Sequence, residues 1–298
     1  MKIACMGSLV YDMTFVVDDK LEEDSKKRAK EFVACGGGNG SNYAYALASW
    51  DNDVDLYSII GNDLDGKKLV DEFNSKKVDM SGVEIRDNFI TPKSVIISNI
   101  KNATRSIVTT YREKIRRLDT KIKSNYDVIL LDGSYIDSAK ELLDNNKEAT
   151  IIFDLESVDE EKVDLAKKSN YIICSRDFAE EFTNIDLSST NIDLLKECYD
   201  KLNNYFNNST IIITLGKDGC FTKLNDYKLI DSIKVDAIDT TGSGDIFHAA
   251  FAHFLYRKYD IEKVIKYSTI AAGLSTRKVG CRNKIPTWEE VLNYEDVI

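Results

Sequence analysis

From Val128 onward the chain repeats one pattern, a short wholly apolar run followed by a longer polar segment with helical spacing. The runs are Val128–Leu131, Ile151–Phe153, Tyr171–Cys174 and Ile211–Thr214. A strand without polar alternation is buried on both faces, so the pattern predicts parallel strands with helices on either side. Ile3–Met6 and Val54–Ile60 predict two more strands, the first ended by Gly7-Ser8. Elsewhere the pattern changes. Val83–Arg86, Ser94–Ile100 and Thr104–Thr110 alternate apolar and polar residues, as half-buried antiparallel strands do, with a tight turn at Asn102-Ala103. Phe15–Val17 and Ala29–Ala34 predict two short strands joined by the charged segment 18–28. The expected fold class is therefore α/β, a mostly parallel central sheet between helices in one domain, 1–298. A small second sheet is expected from segments at about 12–35 and 84–112.

Two glycine-rich stretches lead into helices and carry the candidate chemistry. The first is Cys35-Gly36-Gly37-Gly38-Asn39-Gly40-Ser41-Asn42, running into Tyr43–Ala48. It is no Walker A loop, because no Gly-Lys-Ser/Thr follows, and it lacks the third glycine of a dinucleotide fingerprint. The second is Asp239-Thr240-Thr241-Gly242-Ser243-Gly244-Asp245, followed by a helix over 245–255 that is apolar nearly all round. Amides exposed at such a turn and at a helix start attract an anion such as phosphate. Asp245 is the charged exception in a buried helix. Its place in the first turn predicts an ionised carboxylate, since the helix dipole favours negative charge there. The spacing fits two readings, a proton acceptor beside a phosphate site or an ordinary N-cap aspartate. Asp12, in the polar loop expected after the first strand, reads on its own as a solvated turn residue. Asp63 is expected to cap a helix over Lys67–Lys76, and Ala271-Ala272 to open a late helix.

Composition narrows the partners. The 298 residues are 43% hydrophobic and 30% charged, which suits a globular domain, and the net charge of −10 argues against general nucleic-acid or acidic-membrane binding. A nucleotide substrate remains compatible, because its phosphates are met locally. The six cysteines form no C-x-x-C pair and the two histidines show no ligand spacing. Reduced thiols in a cytoplasmic protein are expected, and no apolar run reaches the length of a membrane span.

The stretch 239–245 resembles the C-terminal signature of the ribokinase-like (PfkB) carbohydrate kinases. Residues 37–42 resemble their Gly-Gly-Asn-x-x-Asn signature, and 61–66 and 214–219 resemble two further turns, in family order along the whole chain. The resemblance implies a ribokinase-like three-layer α/β/α sandwich whose small sheet is a lid, often shared between two subunits of a homodimer. It implies ATP-dependent phosphorylation of a sugar hydroxyl with Mg²⁺. Asp245 would be the catalytic base, with Gly242, Ser243 and Gly244 supplying anion-binding amides. Asp12, Gly37, Gly38 and Asn42 would hold the sugar, and Arg105 and Arg112, at the lid's ends, would reach the substrate. Ser175, Thr214, Gly216 and Gly219 would line the nucleotide together with Gly242 and Gly244. Asp154 and Glu156 would lie near the phosphate and metal, with the Mg²⁺ ligands themselves unassigned.

The chain departs from the pattern twice. Ser175 and Phe178 stand where the family commonly has Asn and Glu, with Asp177 or Glu180 as candidate substitutes. Lys284 stands near Asp239 and Thr241, where the family binds a monovalent cation, which sets its ammonium against potassium dependence. Three alternatives stay open: a nucleoside kinase, with Tyr11, Tyr43 and Tyr45 against a base; a sugar-phosphate kinase, with Arg105, Arg112, Lys114, Arg116 and Arg117 as clamp; and a non-catalytic sugar sensor.

Overall fold

A computed structural model describes residues 2–110 and 113–295. The N-terminal half contains β1 (Lys2–Met6), β2 (Val10–Val17), β3 (Glu31–Gly37), α1 (Asn39–Ser49), β4 (Asp53–Gly61), α2 (Leu64–Asn74), β5 (Val78–Arg86), β6 (Lys93–Asn99) and β7 (Thr104–Thr109). Next come β8 (Val128–Leu131), α3 (Ile136–Asn145), β9 (Thr150–Leu155), α4 (Glu160–Ala166), β10 (Tyr171–Ser175), α5 (Arg176–Thr183), α6 (Ile192–Tyr205) and β11 (Thr210–Thr214). The chain closes with β12 (Cys220–Lys223), β13 (Tyr227–Ile230), α7 (Ser243–Tyr256), α8 (Ile261–Ser275) and α9 (Trp288–Glu295).

The apolar runs become strands because successive side chains of a strand point to opposite faces, and here both faces are covered. Ile3 and Cys5 of β1 pack with α1, α7 and α8, while Ala4 and Met6 pack with the layer containing α3 and α6. The same division runs through β11, where Ile212 faces the first layer and Ile211 and Ile213 the second. The large sheet runs β13-β12-β11-β10-β9-β8-β1-β4-β5, parallel from β11 to β5, with β12 and β13 added antiparallel as an unforeseen hairpin. The result is the expected three-layer sandwich.

The small sheet differs from the expectation in membership. Its order is β3-β2-β6-β7, with β2 and β6 parallel and the other pairs antiparallel. Residues 83–86 belong instead to β5, at the edge of the large sheet, parallel to β4. Alternation marks a strand but not its sheet: Val83 is buried against the core, whereas Ile85 is exposed at the sheet edge and Glu84 is covered by its pair with Arg86. β2 enters the small sheet only three residues after β1, through Gly7–Leu9, and β3 leaves it through Gly38 into α1.

Asp63 caps α2 as expected, its carboxylate accepting the Gly66 amide at 2.8 Å. Ala271-Ala272 opens no helix; it lies in the last turns of α8. The six cysteines are free thiols. Among the described residues, no helix is long and apolar enough to cross a membrane.

Candidate active site

In an open parallel sheet the crevice forms at the carboxyl ends of the strands, where neighbouring connections leave in opposite directions. Here the strand order reverses beside β1. At that edge lies a cavity of about 720 Å³, roofed by the small sheet. It brings together Asp12, Gly38, Asn42, Arg105, Ser175, Thr214, Gly216, Gly219 and the turn Thr241–Asp245, which are far apart in sequence. Gly37 and Asp239 sit just behind its wall. Arg112 lies outside the described residues.

The anion turn owes its shape to one glycine and one buried ion pair. Gly242 is the N-cap of α7 at φ 72°, a conformation that costs a residue with a Cβ, and α7 begins at Ser243 rather than at Asp245. Behind it the Asp239 carboxylate accepts Thr241 N at 3.0 Å, Thr241 Oγ1 at 2.7 Å and Gly280 N at 3.0 Å. The buried Lys284 Nζ donates to the Asp239 carbonyl at 2.9 Å and lies 3.6 Å from its carboxylate. Burial alone would raise Asp239, but the ammonium and these donors hold it below the ordinary value. Burial likewise draws Lys284 below the usual lysine value, against the pull of Asp239.

Asp245 behaves otherwise: the helix start is not the largest influence on its carboxyl. A helix start contributes ~0.3–2 kcal/mol. Full burial can raise a carboxyl by about 3–5 pH units. Burial first, then the charges of Glu156 and Asp154, push Asp245 well above the ordinary carboxylate range, against Asn42 and Arg282. Asn42 Nδ2 donates to Asp245 Oδ2 at 2.6 Å. Glu156 is itself raised, chiefly by the neighbouring Asp154 and by burial. Asp154 accepts the Tyr43 hydroxyl and Asn39 Nδ2 at 3.1 Å, and His248 Nε2 lies 3.4 Å away. Three carboxyl groups, Asp154, Glu156 and Asp245, therefore line one part of the cavity.

Asp12 is no solvated turn residue. It sits within β2, buried between Ser94 of β6 and the glycines of β3, because β2 runs from Val10 rather than Phe15. Burial raises it to about 6, with Ser94 and Arg282 pulling the other way. A Cβ at Gly37 would run into its carboxylate, which is why the strand opposite needs glycine there. Arg105, on the exposed strand β7, reaches down to the anion turn, Nη1 donating to Thr240 Oγ1 at 2.8 Å.

Ser175 caps α5, its Oγ accepting Phe178 N at 3.1 Å, and Phe178 is a fully buried core ring. That explains the departure from Asn-x-x-Glu in packing terms. Neither Asp177 nor Glu180 lines the cavity; Glu180 accepts the Leu187 amide at 2.7 Å. Nor do the three tyrosines: Tyr43 lies behind the wall against His248, while Tyr11 and Tyr45 lie under Lys68 and Arg282. Lys114, Arg116 and Arg117 are spent on surface pairs with Asp159, Glu161, Asp137 and Glu141.

Residues 1–288 match the profile of the pfkB family carbohydrate kinase. The chain belongs to that family. It is 27% identical to ribokinase of Staphylococcus aureus, covering 97% of this chain and 98% of that one. It is 24% identical to the ATP-dependent ribose-1-phosphate kinase of Halopiger xanaduensis, covering 97% and 96%. Its fold matches that of Arabidopsis thaliana ribokinase complexed with ribose and ATP at TM-score 0.78, with 19% identity and 98% and 97% coverage. As a member of the pfkB family it is a phosphotransferase with an alcohol group as acceptor.

Several residues at the site have no role among the expectations drawn from the sequence. His248 lies one turn past Asp245, its Nδ1 2.8 Å from the Gly244 carbonyl, and its i+3 spacing was a usable signal. Lys217, next to Gly216, and the apolar walls Ile96, Ile107 and Ile233 gave none.

Proposed function

We propose that the protein transfers the γ-phosphoryl group of ATP to a hydroxyl of a small sugar, with Asp245 as the base. The observation that carries this is the position of the Asp245 carboxyl, in the first turn of α7 beside the Gly242–Gly244 amides and hydrogen-bonded to Asn42. A sugar hydroxyl held by Asp12, Gly38 and Asn42 faces Asp245, which takes its proton in line with the γ-phosphate. A carboxylate made more basic by burial suits an alcohol proton better than an exposed one. The amides of the turn offset charge on the phosphoryl group, and closure of the small sheet as a lid excludes water. ATP lies along Thr214, Gly216 and Gly219, its base in the slot formed by Ile233, Ala272 and Gly273.

Mg²⁺ fits the excess of carboxylate charge at Asp154 and Glu156. Among the described residues no three acidic, histidine or cysteine side chains converge to hold an ion unaided, so phosphate oxygens and water complete its shell. The ion supplies neutralisation of phosphate charge. Potassium is not required on this reading, because the Lys284 ammonium already faces the Asp239 carbonyl and carboxylate.

Arg105 favours a second reading, in which the acceptor carries an anionic group such as a phosphate or a carboxylate. Besides Lys217 it is the one strong cation among the described residues lining the cavity. A nucleoside is less well served, since among the described residues lining the cavity Phe247 and His248 are the only rings. The exposed Phe32, Val95 and Val108 of the small sheet suit pairing with a second copy, which sedimentation would reveal as a dimer. The deciding experiment is ADP release across pentoses, ketohexoses, sugar acids, sugar phosphates and nucleosides, with wild type and Asp245→Asn side by side. An acceptor that stimulates only the wild type supports the reading; no acceptor, or an equally active variant, removes it.

A further inference from the structure

The loop after α8 carries two buried cations, Arg282 and Lys284, facing opposite turns of the site. Lys284 grips the anion turn, as described. Arg282 faces the turn 36–42. Its Nη1 donates to the Ser41 carbonyl at 3.1 Å and its Nη2 to Ser41 Oγ at 2.8 Å. Its Nε lies 2.8 Å from Glu72 Oε1, a charged contact rather than an aligned hydrogen bond. The other Glu72 oxygen accepts Gly36 N at 2.8 Å. Ser41 Oγ passes the link on, donating to the Gly37 carbonyl at 2.6 Å. The guanidinium is packed against the rings of Tyr45 and Phe73, 4.4 and 5.3 Å from their centres.

This arrangement needs an arginine. A planar fork meets α1 through two hydrogen bonds and α2 through a charged contact, which a lysine ammonium cannot do. Filling the space alone calls for no charge, since an apolar side chain of similar volume would avoid the desolvation of a buried ion. What the charge adds is position. Gly37 closes against Asp12, and Asn42, next to Ser41, donates to Asp245.

We propose that Arg282 is a positioning residue for the acceptor side, holding Gly37 and Asn42 in place through Ser41 and Glu72. With Lys284 it makes the loop 280–284 a brace that keeps the acceptor turn and the anion turn in register. The proposal rests on the kinase reading for its kinetic consequence and on the geometry alone for its mechanical one.

Two variants of the intact protein test it. Ser41→Ala cuts the link to Gly37 and leaves the Glu72 pair and the ring packing; Arg282→Met keeps volume and removes every donor. With D-ribose, or the best acceptor of the screen above, each is expected to raise the acceptor KM about tenfold, the size of one charge-assisted hydrogen bond. The KM for ATP should change by less than about twofold, and the double variant should be no worse than Arg282→Met, as members of one network behave. Amide exchange without ligand should quicken at 36–42 and not at 239–244. Unchanged exchange at 36–42, or both KM values rising alike, overturns the proposal. If Arg282→Met fails to fold, Ser41→Ala decides. If the wild type phosphorylates no acceptor while exchange quickens as stated, the kinase reading falls and the brace stands.

Discussion

Asp239 and Asp245 lie equally far to either side of Gly242, both buried, and the protein treats them in opposite ways. Asp239 is given a lysine and three hydrogen-bond donors and is held below its ordinary pKa. Asp245 is given one amide and two like charges and is held above it. The first is charge completed by the fold; the second is charge left for a ligand to complete. A buried pair is stabilising only as a pair, whereas a frustrated carboxyl costs stability until something binds, and such groups cluster at working sites.

The largest effect should come from breaking the second member. Asp245→Asn is expected to lower kcat by about 10³-fold, within the usual range for a proton acceptor, while Tm stays level or rises because a repelled charge has gone. A fall in both would mean that Asp245 is structural after all. Breaking the first member should do the reverse. Lys284→Met strands the Asp239 carboxylate, and loss of one partner of a buried pair costs about 3–5 kcal/mol, read by thermal or urea unfolding. In the wild type, replacing sodium by potassium should leave kcat unchanged; stimulation by potassium would show that the lysine does not serve as the turn's cation.

The pH dependence sharpens the contrast. Asp12 is raised to about 6 by burial, so it takes up a proton as pH falls through 6. If it holds the sugar as a carboxylate, kcat/KM for the acceptor should drop about tenfold per unit below that point. Its effect on stability has the opposite sign. A raised carboxyl favours the folded state more as pH falls from about 6 toward 4, so Asp12→Asn should weaken the acid-side gain seen in unliganded Tm. The smallest effect is expected at Arg105, where alanine should raise the acceptor KM by roughly tenfold for a sugar phosphate or sugar acid and barely for a neutral sugar. Equal loss for both acceptors would assign Arg105 to closing the small sheet rather than to reading charge.

How much of this was legible in the sequence follows the same division. The doubly buried strands announced themselves as unbroken apolar runs, and the glycine turns 37–42 and 239–245 stood at the cavity as expected. The β5 segment did not, because an edge strand of the large sheet alternates as a small-sheet strand does. Asp12 was misplaced for a related reason: polar residues in β2 look like loop until the strand that covers them is known. The upward shift of Asp245 was not legible because the helix is local and visible, while Asp154 and Glu156 arrive from the end of β9, some ninety positions away. Arg282 had no signal at all, since its meaning lies in Ser41 and Glu72.

The short passages between the two sheets carry a last consequence. Gly7–Leu9 and Gly38 are the crossings, and Asp12, Gly37 and Asn42 stand within a few residues of them. On the proposed reading, the sheet that closes and the residues that hold the acceptor are thus inherited together, so a chimera that receives β2, β3, β6 and β7 from another family member should take on the donor's choice of acceptor while keeping its own handling of nucleotide.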